Sequence, residues 1–127
     1  MLMQCLFVGI GGFFGAISRF IISTKVQNYS KSSVFPYGTL CVNFLGCLII
    51  GFLSGIVLHS NYLNLDLQNL LITGFLGALT TFSTFGFETY ALIRSRAITL
   101  AVINILLQVV IGITLLWFGF FIADILF

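Results

Sequence analysis

Four apolar runs, 2–22, 38–58, 67–92 and 97–122, occupy most of this 127-residue chain and leave only short polar connections between them. A helix needs about 20 apolar residues to cross the hydrocarbon of a bilayer, so each run is long enough to span one. The chain is 60% hydrophobic and 6% charged, with a mean hydropathy of +1.21. A soluble domain of this length has no interior large enough for that much apolar surface. The expected fold is an all-α membrane protein: one domain over 1–127, with four transmembrane helices and no room for a nucleotide-binding motor. Met1 to Gln4 carry no basic side chain and no small-residue cleavage pattern follows, so the first run is expected to stay in place rather than be removed as a signal peptide. Five basic and three acidic residues leave a net charge of +2, too little to attract nucleic acid.

The connections read as turns. Residues 25–37 hold a polar stretch and the only proline, Pro36, and read as a loop that ends just before the second helix. His59 reads as a solvated side chain opening a polar turn over 59–66. Arg94, Ser95 and Arg96 form a tight reversal. Arg19, Lys25, Lys31, Arg94 and Arg96 all fall toward the side of the first and third loops. The side with both termini and the second loop has no Lys or Arg. The positive-inside rule, taken by itself, puts both termini outside. Cys5, Cys41 and Cys47 match no metal-ligand spacing and read as small core fillers.

Small residues recur as Gly11, Gly12, Gly15 and Ala16 in the first helix and as Gly46, Gly51 and Gly55 in the second. Such spacing lets helix backbones approach closely. Polar residues share faces with them. Thr39, Asn43 and Gly46 follow helical spacing, and Asn43 is either interhelical hydrogen-bond glue or pore lining. Asn104, Gln108 and Gly112 repeat every four residues along the fourth helix and read as a polar permeation track. Arg19, near the end of its span, is placed to snorkel. Glu88 is placed at the mouth of an aqueous vestibule. No Ser-His-Asp, Cys-His or metal-binding carboxylate arrangement is present, so an enzyme is not expected.

The third run is the least like a lipid anchor. Gly74 to Glu88 carries glycines, hydroxyl residues and the phenylalanine pair Phe82 and Phe85. At mid-membrane depth, weak backbone and polar side chains must be shielded by protein or line a pathway. Gly77 and the Thr80-Thr81 pair offer a place for the helix to unwind near mid-membrane. Unwound carbonyls there can coordinate a hard monovalent cation. One chain supplies too few oxygens for a cage, so two copies on a two-fold axis are the natural assembly. The rings of Phe82 and Phe85 carry positive edges that can stabilise a partly dehydrated anion; packing is the plainer reading of the same residues.

Three motifs in order resemble the Fluc fluoride channels, also called the CrcB family. They are Gly11-Gly12-x-x-Gly15-Ala16-x-x-Arg19, Gly38-Thr39-Leu40-x-Val42-Asn43-x-x-Gly46, and Gly74-x-x-Gly77-x-x-Thr80-Thr81-Phe82-Ser83-Thr84-Phe85-x-x-Glu88. The resemblance covers essentially the whole chain. It implies an antiparallel, dual-topology homodimer in a bacterial inner membrane that conducts fluoride passively and reduces its toxicity. It implies that carbonyls of Gly77 and Thr80 hold a structural sodium ion between subunits. Phe82, Phe85, Asn43, Ser83 and Thr84 match pore residues, and Arg19 matches the vestibule arginine. Two features depart from the family pattern: the fourth helix's polar track usually has Tyr and Ser, whereas Asn104, Gln108 and Gly112 occupy that stripe here, and the basic residues are strongly one-sided. The rival is a small proton-coupled four-helix exporter of drugs or ions. It needs a buried carboxylate, which the first helix lacks. A non-conducting membrane assembly subunit is a third reading.

Overall fold

Glycines decide where the helices of this chain cross. The computed structural model describes residues 1–30, 34–60 and 62–127; Lys31, Ser32, Ser33 and Asn61, which the sequence places in the first two loops, lie outside the described residues. Helix α1 is Leu2–Tyr29 and α2 is Tyr37–His59. Helix α3 covers 65–79, α4 is Phe82–Arg94 and α5 is Ile98–Leu126. Counting α3 and α4 as one crossing, four spans are long and apolar enough to traverse a membrane.

Helix α1 lies against α3, and its only buried residues are Gly11 and Gly15. A methyl group on Gly11 would fall on the Leu70 carbonyl and within 2.8 Å of the Phe75 nitrogen; one on Gly15 would fall on the Phe75 carbonyl. Gly74 answers from the other side, its missing side chain leaving room for the Val8 carbonyl. Backbone thus touches backbone, which yields the dispersion contacts that hold helices together where there is no hydrophobic drive between them. The second crossing, between α2 and the C-terminal half of α5, uses the same device at Gly51, Gly55 and Gly119.

Several elements differ from the sequence reading. Helix α1 continues past Ile22 to Tyr29, which takes Lys25 out of the expected loop and onto the helix. Helices α3 and α5 each contain a wide stretch of i→i+5 turns, at Asn69–Leu76 and Leu107–Ile111. Cys5 is exposed, while Cys41 and Cys47 are half-buried. His59 ends α2, and its Nε2 lies 3.0 Å from Asp124 Oδ1 of α5. The third connection closes with Arg96 at a φ of 60°. There the Ala97 N–H donates to the Leu92 carbonyl and the Arg96 N–H to the Ile93 carbonyl. That is the helix ending in which glycine normally takes the left-handed position.

Candidate functional site

The chain between α3 and α4 is not helical. Thr80 has φ −83° and ψ 156°, and Thr81 has φ −152° and ψ 118°. Two extended residues leave the last carbonyls of α3 and the first N–H groups of α4 without helical partners. Thr81 satisfies one of the second set as the N-cap of α4, its Oγ1 accepting from the Thr84 N–H at 3.2 Å.

The backbone of Thr81 itself is satisfied from α2. Its N–H donates to Asn43 Oδ1 at 2.8 Å, and its carbonyl accepts from Asn43 Nδ2 at 3.1 Å. This pair of bonds fixes which way the Asn43 amide points. Asn43 Nδ2 also donates to Gln108 Oε1 at 3.1 Å, which fixes the Gln108 amide in turn. An amide nitrogen has two hydrogens, so both of those on Asn43 are engaged. The nitrogen left over is Gln108 Nε2, which is buried and has no partner among the described residues. Asn43 is therefore first a clamp on the interruption, and the free amide donor beside it belongs to Gln108.

Asn104 does not join this cluster. It is fully buried and donates to Thr89 Oγ1 of α4 at 2.9 Å. The wide turn that begins at Leu107 separates the two amides: Asn104 is bonded to α4 and Gln108 to α2. Neither Thr81 nor Thr89 stood out in the sequence as a partner. The Thr-x-x-Thr spacing of an N-cap before Phe82 was the available signal for Thr81; Thr89 had none.

Toward the end of the molecule with the first and third connections, Thr39 Oγ1 donates to Glu88 Oε1 at 2.7 Å, and Glu88 Oε2 is buried with no partner among the described residues. Two cavities meet there. The outer one, about 630 Å³, is open and is lined by Gln27, Thr39, Thr84 and Glu88 among others. The inner one, about 180 Å³, reaches Arg19, Val42 and Thr81. Ser23, Thr39 and Thr84 line both, so polar groups lead from the open end to the interruption. Arg19 has no carboxylate partner among the described residues. The Ser83 hydroxyl lies 3.3 Å from Thr81 Oγ1.

Phe82 and Phe85 are brought together at the start of α4, their ring centroids 5.4 Å apart and their planes at 64°. Phe82 stands 82% exposed on the subunit surface. Gly77 is exposed on the same stretch of chain. No N–H among the described residues donates to the carbonyls of Gly77, Ala78, Leu79 or Thr80. Uncommitted carbonyl oxygens at an exposed helix end are suitable ligands for a hard monovalent cation, so the residues present fit a sodium ion. No cluster of His, Cys, Asp or Glu able to hold a metal exists among the described residues.

Comparison with known proteins follows the same lines. The family profile described as "CrcB-like protein, Camphor Resistance (CrcB)" matches residues 6–120. A protein of Nitratiruptor sp. named "Fluoride-specific ion channel FluC" is 52% identical, over 84% of this chain and 81% of its own length. Proteins of the same name from Methylobacillus flagellatus and Clostridium perfringens are each 40% identical, over 92% and 99% of this chain and 91% and 98% of their own. With a polar interruption set in four membrane-length helices, and relatives matched almost end to end, this multi-pass membrane protein belongs to the CrcB family.

Proposed function

We propose that the chain forms a passive fluoride-selective channel, acting as an antiparallel, dual-topology homodimer in a bacterial inner membrane and lowering the toxicity of fluoride. The observation that carries the reading is the clamped interruption at Thr80 and Thr81, with a buried, uncommitted amide donor beside it. The near full-length match to relatives named as fluoride channels supports it.

Arg19 draws anions into the polar cavity without being neutralised by a carboxylate. Ser83, Thr84 and Gln108 Nε2 then supply hydrogen-bond donors in place of water, as selectivity for a strongly hydrated ion requires. Thr39 is a guarded donor. Its hydrogen already rests on Glu88, so an entering anion must compete with a carboxylate for it. Fluoride, the strongest hydrogen-bond acceptor among the halides, does so better than chloride. The edges of Phe82 and Phe85 offer weak positive potential that does not trap the ion. The carbonyls of Gly77 and Thr80, paired with those of a second copy, would hold a sodium ion, which when bound adds positive charge between the two subunits.

Fluoride efflux from liposomes containing the purified protein, with chloride as the comparison ion, tests this reading. Fast fluoride flux, slow chloride flux and indifference to a pH gradient are expected. Equal flux of both ions would overturn it, and flux that follows the pH gradient would return the exporter. Tagged termini accessible from one side of the membrane only would remove dual topology.

A further inference from the structure

On the outer flank of α1 and α2 runs an open groove of about 660 Å³. Cys41, Leu45 and Leu48 of its lining share one face of α2. That face is turned roughly half a helical turn from Thr39, Asn43 and Gly46, so the groove is remote from the site above. Its walls are hydrocarbon, from Leu40, Phe44, Leu45 and Leu48 and, on α5, Leu115. Its upper end is different. Lys25, Tyr29 and Tyr37 line it there. Lys25 has no carboxylate partner among the described residues, and neither tyrosine hydroxyl makes a hydrogen bond among them.

The dimensions match one leaflet. From Tyr37 to Leu48 the helix rises roughly 16 Å at 1.5 Å per residue. Half of a hydrocarbon core about 30 Å thick is about 15 Å. The groove therefore runs from headgroup level to the bilayer centre, with a cation and two phenolic donors at the headgroup end. We propose that it is a binding site for an anionic phospholipid, with the phosphate on Lys25 and the tyrosine hydroxyls and one acyl chain along Leu40, Phe44, Leu45 and Leu48. A basic residue at the cytoplasmic or headgroup end of an interhelical cleft is the arrangement that selects anionic over zwitterionic headgroups. The proposal is independent of which ion the protein conducts.

The chain has a single tryptophan, Trp117, which makes the site optically addressable. In a Trp117→Phe, Leu45→Trp variant, brominated phosphatidylglycerol is expected to quench the new tryptophan with about fivefold preference over brominated phosphatidylcholine. Adding Lys25→Gln should remove the preference while leaving quenching by both lipids. Equal quenching before that change, or a preference that survives it, overturns the proposal. So does oxidative cross-linking of Cys41 between two copies, which would put a second subunit in the groove. Native mass spectrometry of the otherwise unaltered chain repeats the comparison without a groove substitution. Phosphatidylglycerol should be retained over phosphatidylcholine by the unaltered protein and not by Lys25→Gln; equal retention by the two overturns the assignment.

Discussion

Two amide side chains in this molecule do the same chemical task in different surroundings. Gln27 of α1 donates from Nε2 to the Phe35 carbonyl at 3.1 Å and accepts the Gly38 N–H at 3.1 Å. Asn43 of α2 donates to the Thr81 carbonyl and accepts the Thr81 N–H. Each brackets backbone that no helix satisfies. Gln27, however, lines the open cavity, where water can replace what it provides. Asn43 sits between α2, the interruption and α5, where its partners are other protein groups. The contrast teaches that an amide bracket is worth as much as the solvent around it is scarce.

Substitutions can break or sharpen that contrast. Asn43→Leu strands the N–H and carbonyl of Thr81 together and leaves Gln108 without its donor. A loss of about 2–5 kcal/mol in stability is expected from two unsatisfied buried groups, with fluoride flux falling more than about tenfold; unfolding in detergent and liposome efflux read the two effects. Near-normal stability would show that water reaches the interruption and the contrast with Gln27 is false. Gly46→Ala puts a methyl group onto the Thr80 Cγ2 position, and overpacking there should cost about 1–3 kcal/mol. Thermal unfolding checks it, and a cost near zero would mean the interruption is not held tightly against α2.

Phe82→Ile probes function at the same place without the packing. Because Phe82 is exposed on the subunit, stability of the isolated subunit should change by less than about 0.5 kcal/mol, while fluoride conductance falls. Phe85→Ile should reduce conductance as well. Unchanged flux in both variants would remove the ring-edge mechanism. Gln27→Ala, the counterpart of the Asn43 change, should cost only about 0.5–1.5 kcal/mol and leave ion selectivity intact. A cost equal to that of Asn43→Leu would erase the distinction. Away from the site, Arg96→Gly should stabilise the chain by about 1 kcal/mol, since it relieves a left-handed residue. A loss of stability would mean that the Arg96 side chain contributes more than its backbone costs.

The four crossings could be read from the apolar runs, because hydrocarbon thickness leaves little choice of length. The Gly77 and Thr80-Thr81 stretch could also be read as a weak point. The bonding at that point could not. A straight helix puts Asn104 and Gln108 in one stripe, but the wide turn at Leu107–Ile111 has no sequence signature as plain as a proline. It gives the two amides different partners. Asn43 left glue and pore lining open from sequence, since the choice depends on where three helices put their acceptors. The extension of α1 through Lys25 to Tyr29 was hidden because polar residues look alike in a loop and on the end of a helix that leaves the bilayer.

The backbone contacts at Gly11, Gly15 and Gly74 have a mechanical consequence. With carbonyls seated where side chains would stand, α1 cannot slide along α3 by a fraction of a turn without collision. A shift by a whole turn, about 5.4 Å, would set Phe7 or Val8, or in the other direction Ser18 or Arg19, against the carbonyls that Gly11 and Gly15 now meet. A step of that size would carry the Thr80-Thr81 segment away from the Asn43 amide altogether. The height of the interruption is therefore set by the notch between α1 and α3, a fixed register made where neither helix has a side chain to yield.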